Sequence, residues 1–352
     1  MALDASDSVL TSTEGHAAHI VLNRPRALNS LTHAMVRTLR SVLDAWEHDP
    51  AVGTVVIRGA GERGLCAGGD IRAMRESALA GDRTALDFWR DEYLLNARIA
   101  RFPKPYVALM DGVVMDGGVG VSAHGGVRIV TERSAVAMPE TVIGFVPDVG
   151  GTHLLARAPG ELGTHLGLTG LAVGAADAVL CGLADHFVPY ERFPGLIAAL
   201  AVAPPEEAVR RFARPAPEGE LARRREWIDS CYSGDSVEAI VDRLLSHGDP
   251  AAKDAAETIL TRSPTSVKVT LAALRRARAL GALEPVLDQE YRVSCAAFRS
   301  PDLVEGVRAQ IIDKDRRPRW SPATLAEVTD ADVARYFAPL GADELGLAPV
   351  RG

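Results

Sequence analysis

Residues 105–120 read PYVALMDGVVMDGGVG, and this stretch decides the fold class. Its first six residues form a short apolar run that leads into Gly112, as expected for a buried strand. Three glycines then fall within residues 117–120, which is typical of a tight turn at the start of a helix. A buried strand that leads into a turn and a helix is a building unit of parallel sheets. The stretch therefore predicts an α/β fold.

Similar patterns lie on both sides of this stretch. Apolar side chains at helical spacing predict helices at residues 32–47, with Thr32 as the N-cap, and at residues 85–100. A further helix is predicted to start after Asp70. Short apolar runs predict strands at residues 19–23, 54–57 and 127–131. Because strands and helices alternate, we expect a parallel sheet with crossover connections.

The pattern changes near residue 203. Proline-rich segments at residues 203–207 and 214–219 predict connections rather than regular elements. Mostly helical patterns follow, at residues 236–245, 264–280, 283–298 and 303–313. We therefore divide the chain into an α/β core at residues 1–203 and a mostly helical C-terminal region at residues 204–352.

The composition excludes several classes of protein. With 47% hydrophobic and 24% charged residues among 352, the chain is neither disordered nor fibrous. A net charge of -7 and 5% aromatic residues do not fit a nucleic-acid-binding protein. No apolar run is long enough to predict a membrane span. The four cysteines are isolated and the N-terminus has no targeting pattern, so we expect a cytoplasmic protein.

Three segments hold residues that suit chemistry. CAGGDIR at residues 66–72 and MDGGVG at residues 115–120 are glycine-rich turns whose backbone N–H groups can stabilise negative charge. Residues 138–151 hold Glu140 and Asp148 among apolar neighbours, and a carboxylate in such surroundings tends to have a raised pKa that suits acid–base catalysis. Each segment has a structural alternative: a tight turn for the glycines, a helix cap or a solvated loop for the carboxylates.

Two other patterns point to different chemistry. Residues 118–123 match a dinucleotide-binding fingerprint with Glu140 downstream, but that acid does not end the second strand of a βαβ unit, so we set the match aside. Cys66 lies beside the glycine pair and is a candidate nucleophile. It has no histidine nearby in the sequence, and a buried structural cysteine is the commoner case.

The segments, taken in order, resemble those of the crotonase (enoyl-CoA hydratase/isomerase) superfamily. Within it, the chain is most similar to the 3-hydroxyisobutyryl-CoA hydrolases of valine breakdown. The resemblance covers about residues 15–340 and implies a crotonase-like ββα spiral core. The runs that carry it are NRPRALNSL (23–31), CAGGDI (66–71), MDGGVG (115–120), SAHG (122–125), AMPETVIGFVPDVGG (137–151), LTG (168–170), SPTS (263–266) and EGVRAQIIDKDRRPRW (305–320).

The resemblance implies hydrolysis of a short-chain 3-hydroxyacyl-CoA thioester, most simply 3-hydroxyisobutyryl-CoA. CoA enters as part of the substrate, and no further cofactor or metal is implied. Gly69 and Gly117 match the family's oxyanion hole, whose backbone N–H groups hold the thioester carbonyl. Glu140 matches a glutamate that either attacks the carbonyl or activates water, and the sequence leaves both routes open. Asp148 matches an aspartate that the hydrolases add, whereas Gly120 replaces one of the two glutamates of the hydratases.

The resemblance also implies a substrate-binding set. Glu92 matches a position that contacts the substrate hydroxyl. Arg26 is the candidate phosphate partner, because a guanidinium can bind a phosphate through two hydrogen bonds. The other positions border the nucleotide or the pantetheine arm of CoA: Ala27, Leu28, Ala67, Gly68 and Ile71.

Asp116 departs from the family pattern, which usually has a small residue there. A carboxylate aimed at the oxyanion hole would oppose the charge that develops on the substrate. Two alternatives to hydrolysis stay open: enoyl-CoA hydration or isomerisation, against which Gly120 speaks, and a catalytically weakened CoA-binding protein, which only Asp116 suggests. The expected partner is an acyl-CoA, not a nucleic acid or a membrane, and the family's trimers suggest a trimer-based homo-oligomer.

Overall fold

The computed structural model describes residues 8–347, which divide into two compact units that interleave along the chain. The first unit comprises the chain up to Gly69, Leu94–Ala137 and Val173–Glu220; the second comprises Asp70–Tyr93, Met138–Ala172 and the chain from Leu221 onwards. The predicted regions at residues 1–203 and 204–352 include residues 1–7 and 348–352, which lie outside the described residues. The predicted boundary at residue 203 stays a prediction.

The first unit is built on two sheets. Its strands are β1 (Val9–Glu14), β2 (Ala17–Leu22), β3 (Thr54–Gly59), β4 (Gly64–Cys66), β5 (Tyr106–Met110), β6 (Val113–Met115), β7 (Val127–Val130), β8 (Ala135–Ala137) and β9 (His186–Phe187). The larger sheet has the order β1-β2-β3-β5-β7-β9 and the smaller one β4-β6-β8. Strand β1 is antiparallel to β2, and the other neighbouring strands are parallel. The α/β class is confirmed.

The larger sheet has a buried core because its central strands carry runs of apolar residues. All five residues of β5 are buried. Val56, Val107 and Ile129 of neighbouring strands pack with Leu196 and Leu200 in one apolar cluster. This is the pattern of parallel sheets, which helices cover on their faces.

The smaller sheet places the two glycine-rich turns next to each other. Strand β4 pairs in parallel with β6, with Cys66 opposite Val114. Parallel strands end at the same edge of a sheet, so the turns that follow β4 and β6 lie side by side. Gly118 allows the close approach, because a Cβ atom there would lie 2.3 Å from the carbonyl oxygen of Cys66.

The helices follow the sequence patterns closely where the pattern is long. The Thr32 side chain accepts a hydrogen bond from the Met35 N–H at 3.3 Å, which confirms the predicted cap. Helices of the first unit are His33–His48, Gly117–Gly120, Ala175–Leu180, Phe193–Leu200 and Pro205–Phe212, with short 3₁₀ turns at Pro25–Ala27 and Tyr190–Arg192. Helix Thr84–Ala100 contributes residues to each unit.

The second unit is mostly helical. A helix begins at Pro264, as predicted, and Ser263 caps it by accepting a hydrogen bond from the Ser266 N–H at 3.1 Å. Its helices are Ile71–Ala80, Gly151–Ala156, Leu162–Thr169, Leu221–Cys231, Val237–Ser246, Pro250–Leu260, Pro264–Leu280, Leu283–Phe298, Pro301–Val307 and Asp330–Arg335. Short 3₁₀ turns lie at Glu140–Ile143, Leu325–Glu327 and Gly341–Asp343, and a π-helical turn at Arg308–Ile312. Within residues 8–347, no helix has the length and apolar character needed to cross a bilayer.

Candidate active site

The two predicted oxyanion donors belong to the first unit. Gly69 follows β4, and Gly117 follows β6 as the first residue of helix Gly117–Gly120. The turn before Gly69 is fixed to residues 28–31 by two backbone hydrogen bonds. Ala67 N–H donates to the Leu28 carbonyl at 3.0 Å, and Leu31 N–H donates to the Gly68 carbonyl at 2.8 Å. The structure thus brings together the predicted residues Leu28, Ala67 and Gly68.

Asp116 engages one of these donors. Its carboxylate oxygen Oδ2 accepts a hydrogen bond from the Gly69 N–H at 2.9 Å. Gly68 makes room for this contact, since a Cβ atom at that position would lie 2.2 Å from the same oxygen. The carboxylate is therefore aimed at the predicted oxyanion hole and is paired there with a backbone amide.

Two of the predicted CoA-binding residues lie exposed on one surface turn. Arg26 and Ala27 are exposed in the 3₁₀ turn Pro25–Ala27, and Leu28 caps that turn in a left-handed conformation with φ 53°. An exposed guanidinium on a turn is free of the cost of burial and suits a phosphate ligand. Ile71, in the second unit, is the half-buried first residue of helix Ile71–Ala80.

The second unit holds the predicted carboxylate pair. Glu140 and Asp148 are each only 2% exposed, so neither lies in a solvated loop. A carboxylate oxygen of Glu140 lies within 4.8 Å of one of Asp148. Glu140 begins the 3₁₀ turn Glu140–Ile143, which ends at Gly144 in a left-handed conformation with φ 72°. These two carboxylates are the residues of this unit that could contribute ligands to a cation, and the expectation that no metal takes part stays a prediction.

Tyr93 orients Asp148, a role that the sequence did not reveal. The Tyr93 hydroxyl donates a hydrogen bond to Asp148 Oδ2 at 2.6 Å and lies 2.7 Å from the Ser294 hydroxyl. Burial, with the Asp148 charge adding to it, holds the pKa of Tyr93 well above its usual value. The phenol therefore keeps its proton and donates it in the hydrogen bond to Asp148, so the Ser294 hydroxyl donates to the Tyr93 oxygen.

One face of helix Thr84–Ala100 supports the acidic segment. Trp89 lies three residues before Glu92 and four before Tyr93, which places the three side chains on the same side of the helix. The Trp89 ring stacks on Phe145 with centroids 5.1 Å apart. Glu92 is 2% exposed, so it does not lie on a solvated helix face.

Glu290 is a second residue that the sequence did not reveal. It is 1% exposed and accepts hydrogen bonds from the Gly150 N–H at 2.6 Å, from the Thr152 N–H at 2.9 Å and from the Thr152 hydroxyl at 2.5 Å. Burial raises the pKa of Glu290 to about 7, although these hydrogen bonds act in the opposite direction. No signal in the sequence links Glu290 to residues 140 positions earlier.

Each set of residues has a definite chemical capacity. Backbone N–H groups at glycine-rich turns can stabilise an oxyanion, to which one donor typically contributes about 3 kcal/mol. Paired carboxylates can supply a nucleophile or general base together with a group that orients water or a hydroxyl. Cys66 is fully buried, and its sulfur accepts a hydrogen bond from the Gly68 N–H at 3.4 Å, which favours a structural thiol.

Comparison with known proteins places the chain in a family. The family model for enoyl-CoA hydratase/isomerase matches residues 17–337. The 3-hydroxyisobutyryl-CoA hydrolase, mitochondrial, of Xenopus tropicalis is 43% identical over 96% of this chain and 90% of its own length.

Two solved structures are similar over nearly their whole length. A crystal structure of a carnitinyl-CoA dehydratase from Mycobacterium thermoresistibile is 53% identical, with a TM-score of 0.94, over 97% of this chain and 99% of that one. A crystal structure of an enoyl-CoA hydratase from Rhodobacter sphaeroides is 45% identical, with a TM-score of 0.90, over 96% of this chain and 99% of that one. The resemblance in the sequence is thereby confirmed, and the chain belongs to the enoyl-CoA hydratase/isomerase family, the crotonase family.

Proposed function

We propose that this protein hydrolyses a short-chain 3-hydroxyacyl-CoA thioester, with 3-hydroxyisobutyryl-CoA as the first substrate to test. The observation that carries the proposal is the buried pair of Glu140 and Asp148, with carboxylate oxygens within 4.8 Å and Asp148 oriented by Tyr93. The hydrolase of Xenopus tropicalis, similar over 96% of this chain, supports the same reaction. Gly120, at a position where hydratases carry a glutamate, supports hydrolysis over hydration.

Each residue has a proposed role in this reaction. The backbone N–H groups of Gly69 and Gly117 hold the thioester oxygen as it gains negative charge. Glu140 acts on the carbonyl carbon, and Asp148 orients the substrate hydroxyl or the attacking water. Glu92 binds the substrate hydroxyl. Because the Asp116 carboxylate accepts from Gly69, it must leave that amide before the substrate oxygen can bind there.

Two routes fit the roles of Glu140. In the first, its carboxylate attacks the carbonyl, the C–S bond breaks, CoA leaves as a thiol after protonation, and water hydrolyses the mixed anhydride. In the second, Glu140 takes a proton from water, which attacks directly. Single-turnover hydrolysis in oxygen-18 water tests the difference, because label found in the Glu140 carboxylate by mass spectrometry requires the anhydride.

The hydrolysis itself is tested with a thiol reagent. Incubation with 3-hydroxyisobutyryl-CoA is expected to release free thiol, whereas E140Q is expected to lose most of the rate, roughly 100-fold or more. Absence of thiol release by the wild-type protein would refute the proposal. Tight binding of the thioester without turnover would instead support the catalytically weakened CoA-binding protein.

Hydration or dehydration is the second candidate, and a specific observation favours it. The Mycobacterium thermoresistibile structure, at 53% identity, is that of a carnitinyl-CoA dehydratase. The same protein sample should therefore be incubated with crotonyl-CoA and with carnitinyl-CoA. Conversion of either acyl group without thiol release would favour this candidate over hydrolysis.

The finer details of the proposal are these. Arg26 binds a phosphate of CoA, and Ala27, Leu28, Ala67, Gly68 and Ile71 border its nucleotide and pantetheine arm. No cofactor besides the CoA of the substrate is proposed. A cytoplasmic location and a trimer-based assembly rest on the isolated cysteines and on the family resemblance. Since the Xenopus tropicalis relative is named mitochondrial, cell fractionation tests the location, and light scattering tests the assembly.

A further inference from the structure

The chain that follows Asp148 has an unusual backbone. Val149 has φ 52° and Gly150 has φ 80°, so two successive residues are left-handed. Glycine adopts this conformation readily, but a β-branched residue such as valine does so only under strain. Strain of this kind persists where the surroundings hold the backbone in place.

Glu290 provides that restraint. Its carboxylate accepts the N–H groups of Gly150 and Thr152 and the hydroxyl of Thr152, at 2.6, 2.9 and 2.5 Å. The same turn is closed by the Gly151 N–H, which donates to the Asp148 carbonyl at 2.6 Å. The carboxylate thus holds the first residues after Asp148 through three hydrogen bonds.

The helix that carries Glu290 also reaches Asp148 from its other side. Ser294 lies four residues further along Leu283–Phe298, on the same helix face. It supports Tyr93, whose hydroxyl donates to the Asp148 carboxylate. The backbone and the carboxylate of Asp148 are therefore oriented by two side chains of one helix.

We propose that Glu290 is a positioning residue that keeps the Asp148 carboxylate aligned for thioester hydrolysis by holding the Val149–Gly150 turn. The inference rests on the proposed function. Glu290 acts through the backbone and does not contact the substrate. Its loss is therefore expected to lower kcat and to leave KM nearly unchanged, because the CoA-binding residues stay in place.

Glu290→Gln is the variant that tests this. It keeps the size of the side chain but replaces one accepting oxygen by an amide NH₂, which faces backbone N–H donors and cannot accept from them. We expect kcat to fall by about 10- to 100-fold and KM to change by less than about threefold. T152V removes one of the three hydrogen bonds, and a smaller loss is expected.

Gln289→Leu is the matched control. Gln289 is the neighbouring buried residue on the same helix and donates to the Ala273 carbonyl at 3.1 Å, a group outside the Val149–Gly150 turn. The Gln289→Leu variant should have a lower melting temperature than wild type but an unchanged kcat. An equal loss of kcat in both variants would reduce Glu290 to a general support of the fold.

A double-mutant cycle with Asp148→Asn tests whether Glu290 acts through Asp148. In the D148N background, E290Q is expected to lower kcat by less than about twofold, since the group that it positions is already altered. A full additional loss, or an E290Q single variant as active as wild type, would overturn the inference.

A crystal structure of E290Q tests the positioning independently of activity. We expect Val149 to leave its left-handed conformation and the Tyr93–Asp148 hydrogen bond to break. Retention of that bond near 2.6 Å would overturn the inference even if the protein hydrolyses thioesters. Absence of hydrolysis by the wild-type protein, with the turn disturbed in E290Q, would refute the proposed function instead.

Discussion

Asp116 combines a strained backbone with an unusual contact. Its φ of 49° and ψ of −122° lie in a region that glycine occupies readily and other residues avoid. The hydrogen bond from the Gly69 N–H to its carboxylate compensates part of that strain. A side chain held in this way competes with a substrate oxygen for one of the two proposed oxyanion donors.

Asp116→Gly is therefore expected to make the enzyme faster. The substitution removes the competing carboxylate and suits the local backbone, and an oxyanion donor typically contributes about 100-fold to the rate. We expect kcat/KM for thioester hydrolysis, measured by thiol release, to rise by about 10-fold or more in D116G. The kcat/KM of D116N should lie between those of wild type and D116G. Lower activity of D116G would mean that Asp116 acts on the substrate.

Tyr93→Phe tests the orientation of Asp148 directly. The variant keeps the ring but removes the hydroxyl that donates to Asp148 at 2.6 Å. Because a hydrogen bond to a charged group contributes about 1.5–3 kcal/mol, we expect kcat to fall by at least about 10-fold. Tyr232→Phe is the control: Tyr232 is equally buried and its hydroxyl contacts His165 Nδ1 at 2.8 Å. Equal losses of kcat in both variants would contradict the role.

The sequence revealed those residues whose chemistry shows in a local motif. Gly69, Gly117, Glu140 and Asp148 lie in glycine-rich or carboxylate-bearing runs that can be read without a structure. Tyr93, Ser294 and Glu290 lie in ordinary helical patterns instead. Their importance arises from contacts across 55 to 201 residues of sequence, which only the packed second unit brings about.

The turn that carries Glu140 depends on close packing against helix Pro301–Val307. A Cβ atom on Gly144 would lie 2.3 Å from the Asp302 carbonyl oxygen. Asp302 is itself held by the Ser263 hydroxyl at 2.6 Å and by the Ser321 N–H at 2.8 Å. The SPTS run at residues 263–266 and the start of helix Pro301–Val307 thus acquire a structural role: they fix the position of the Glu140 turn.

Gly144→Ala is expected to displace that turn. Alanine there meets both an unfavourable φ of 72° and the Asp302 backbone, so the free energy of unfolding should fall by about 3 kcal/mol and kcat by at least about 10-fold. Gly281→Ala is the control, because Gly281 has φ 71° and no atom near its Cβ position. We expect G281A to lower the free energy of unfolding by about 1 kcal/mol and to leave kcat unchanged. If urea unfolding shows the same loss of unfolding free energy for G144A and G281A, the packing argument is contradicted.

Long helices were predictable to within a residue or two, and the shortest strands were not predictable. The helices Pro264–Leu280 and Leu283–Phe298 have the predicted bounds because their apolar periodicity extends over four turns. Strands β4, β6 and β8 have three residues each, too few to show a period of two. The predicted helix at residues 303–313 is two elements, Pro301–Val307 and the π-helical turn Arg308–Ile312.

At the scale of the whole molecule, two buried groups couple stability to pH in opposite directions. Burial lowers the pKa of His165 to about 4, with the Arg224 charge adding to it, and raises that of Glu290 to about 7. Below pH 6.5 the unfolded chain binds a proton at residue 165 that the folded protein does not bind, so His165 destabilises the fold as pH falls towards 4. Glu290 binds its proton at a higher pH in the folded protein than in the unfolded chain. Its contribution to stability therefore rises as the pH falls from about 7 to 4.5, the usual pKa of a glutamate.

His165→Asn separates the two effects. Asparagine keeps a polar atom near Nδ1, which lies 2.8 Å from the Tyr232 hydroxyl, but does not titrate. Wild type should exceed H165N in free energy of unfolding at pH 7.5, and the difference should shrink by about 2 kcal/mol by pH 5, since only wild type pays the cost of keeping residue 165 neutral. Glu290 is present in both proteins and cancels in the comparison. Urea unfolding at both pH values measures the difference, and a difference that stays constant would mean that His165 is not held neutral by its burial between Trp227 and Tyr232.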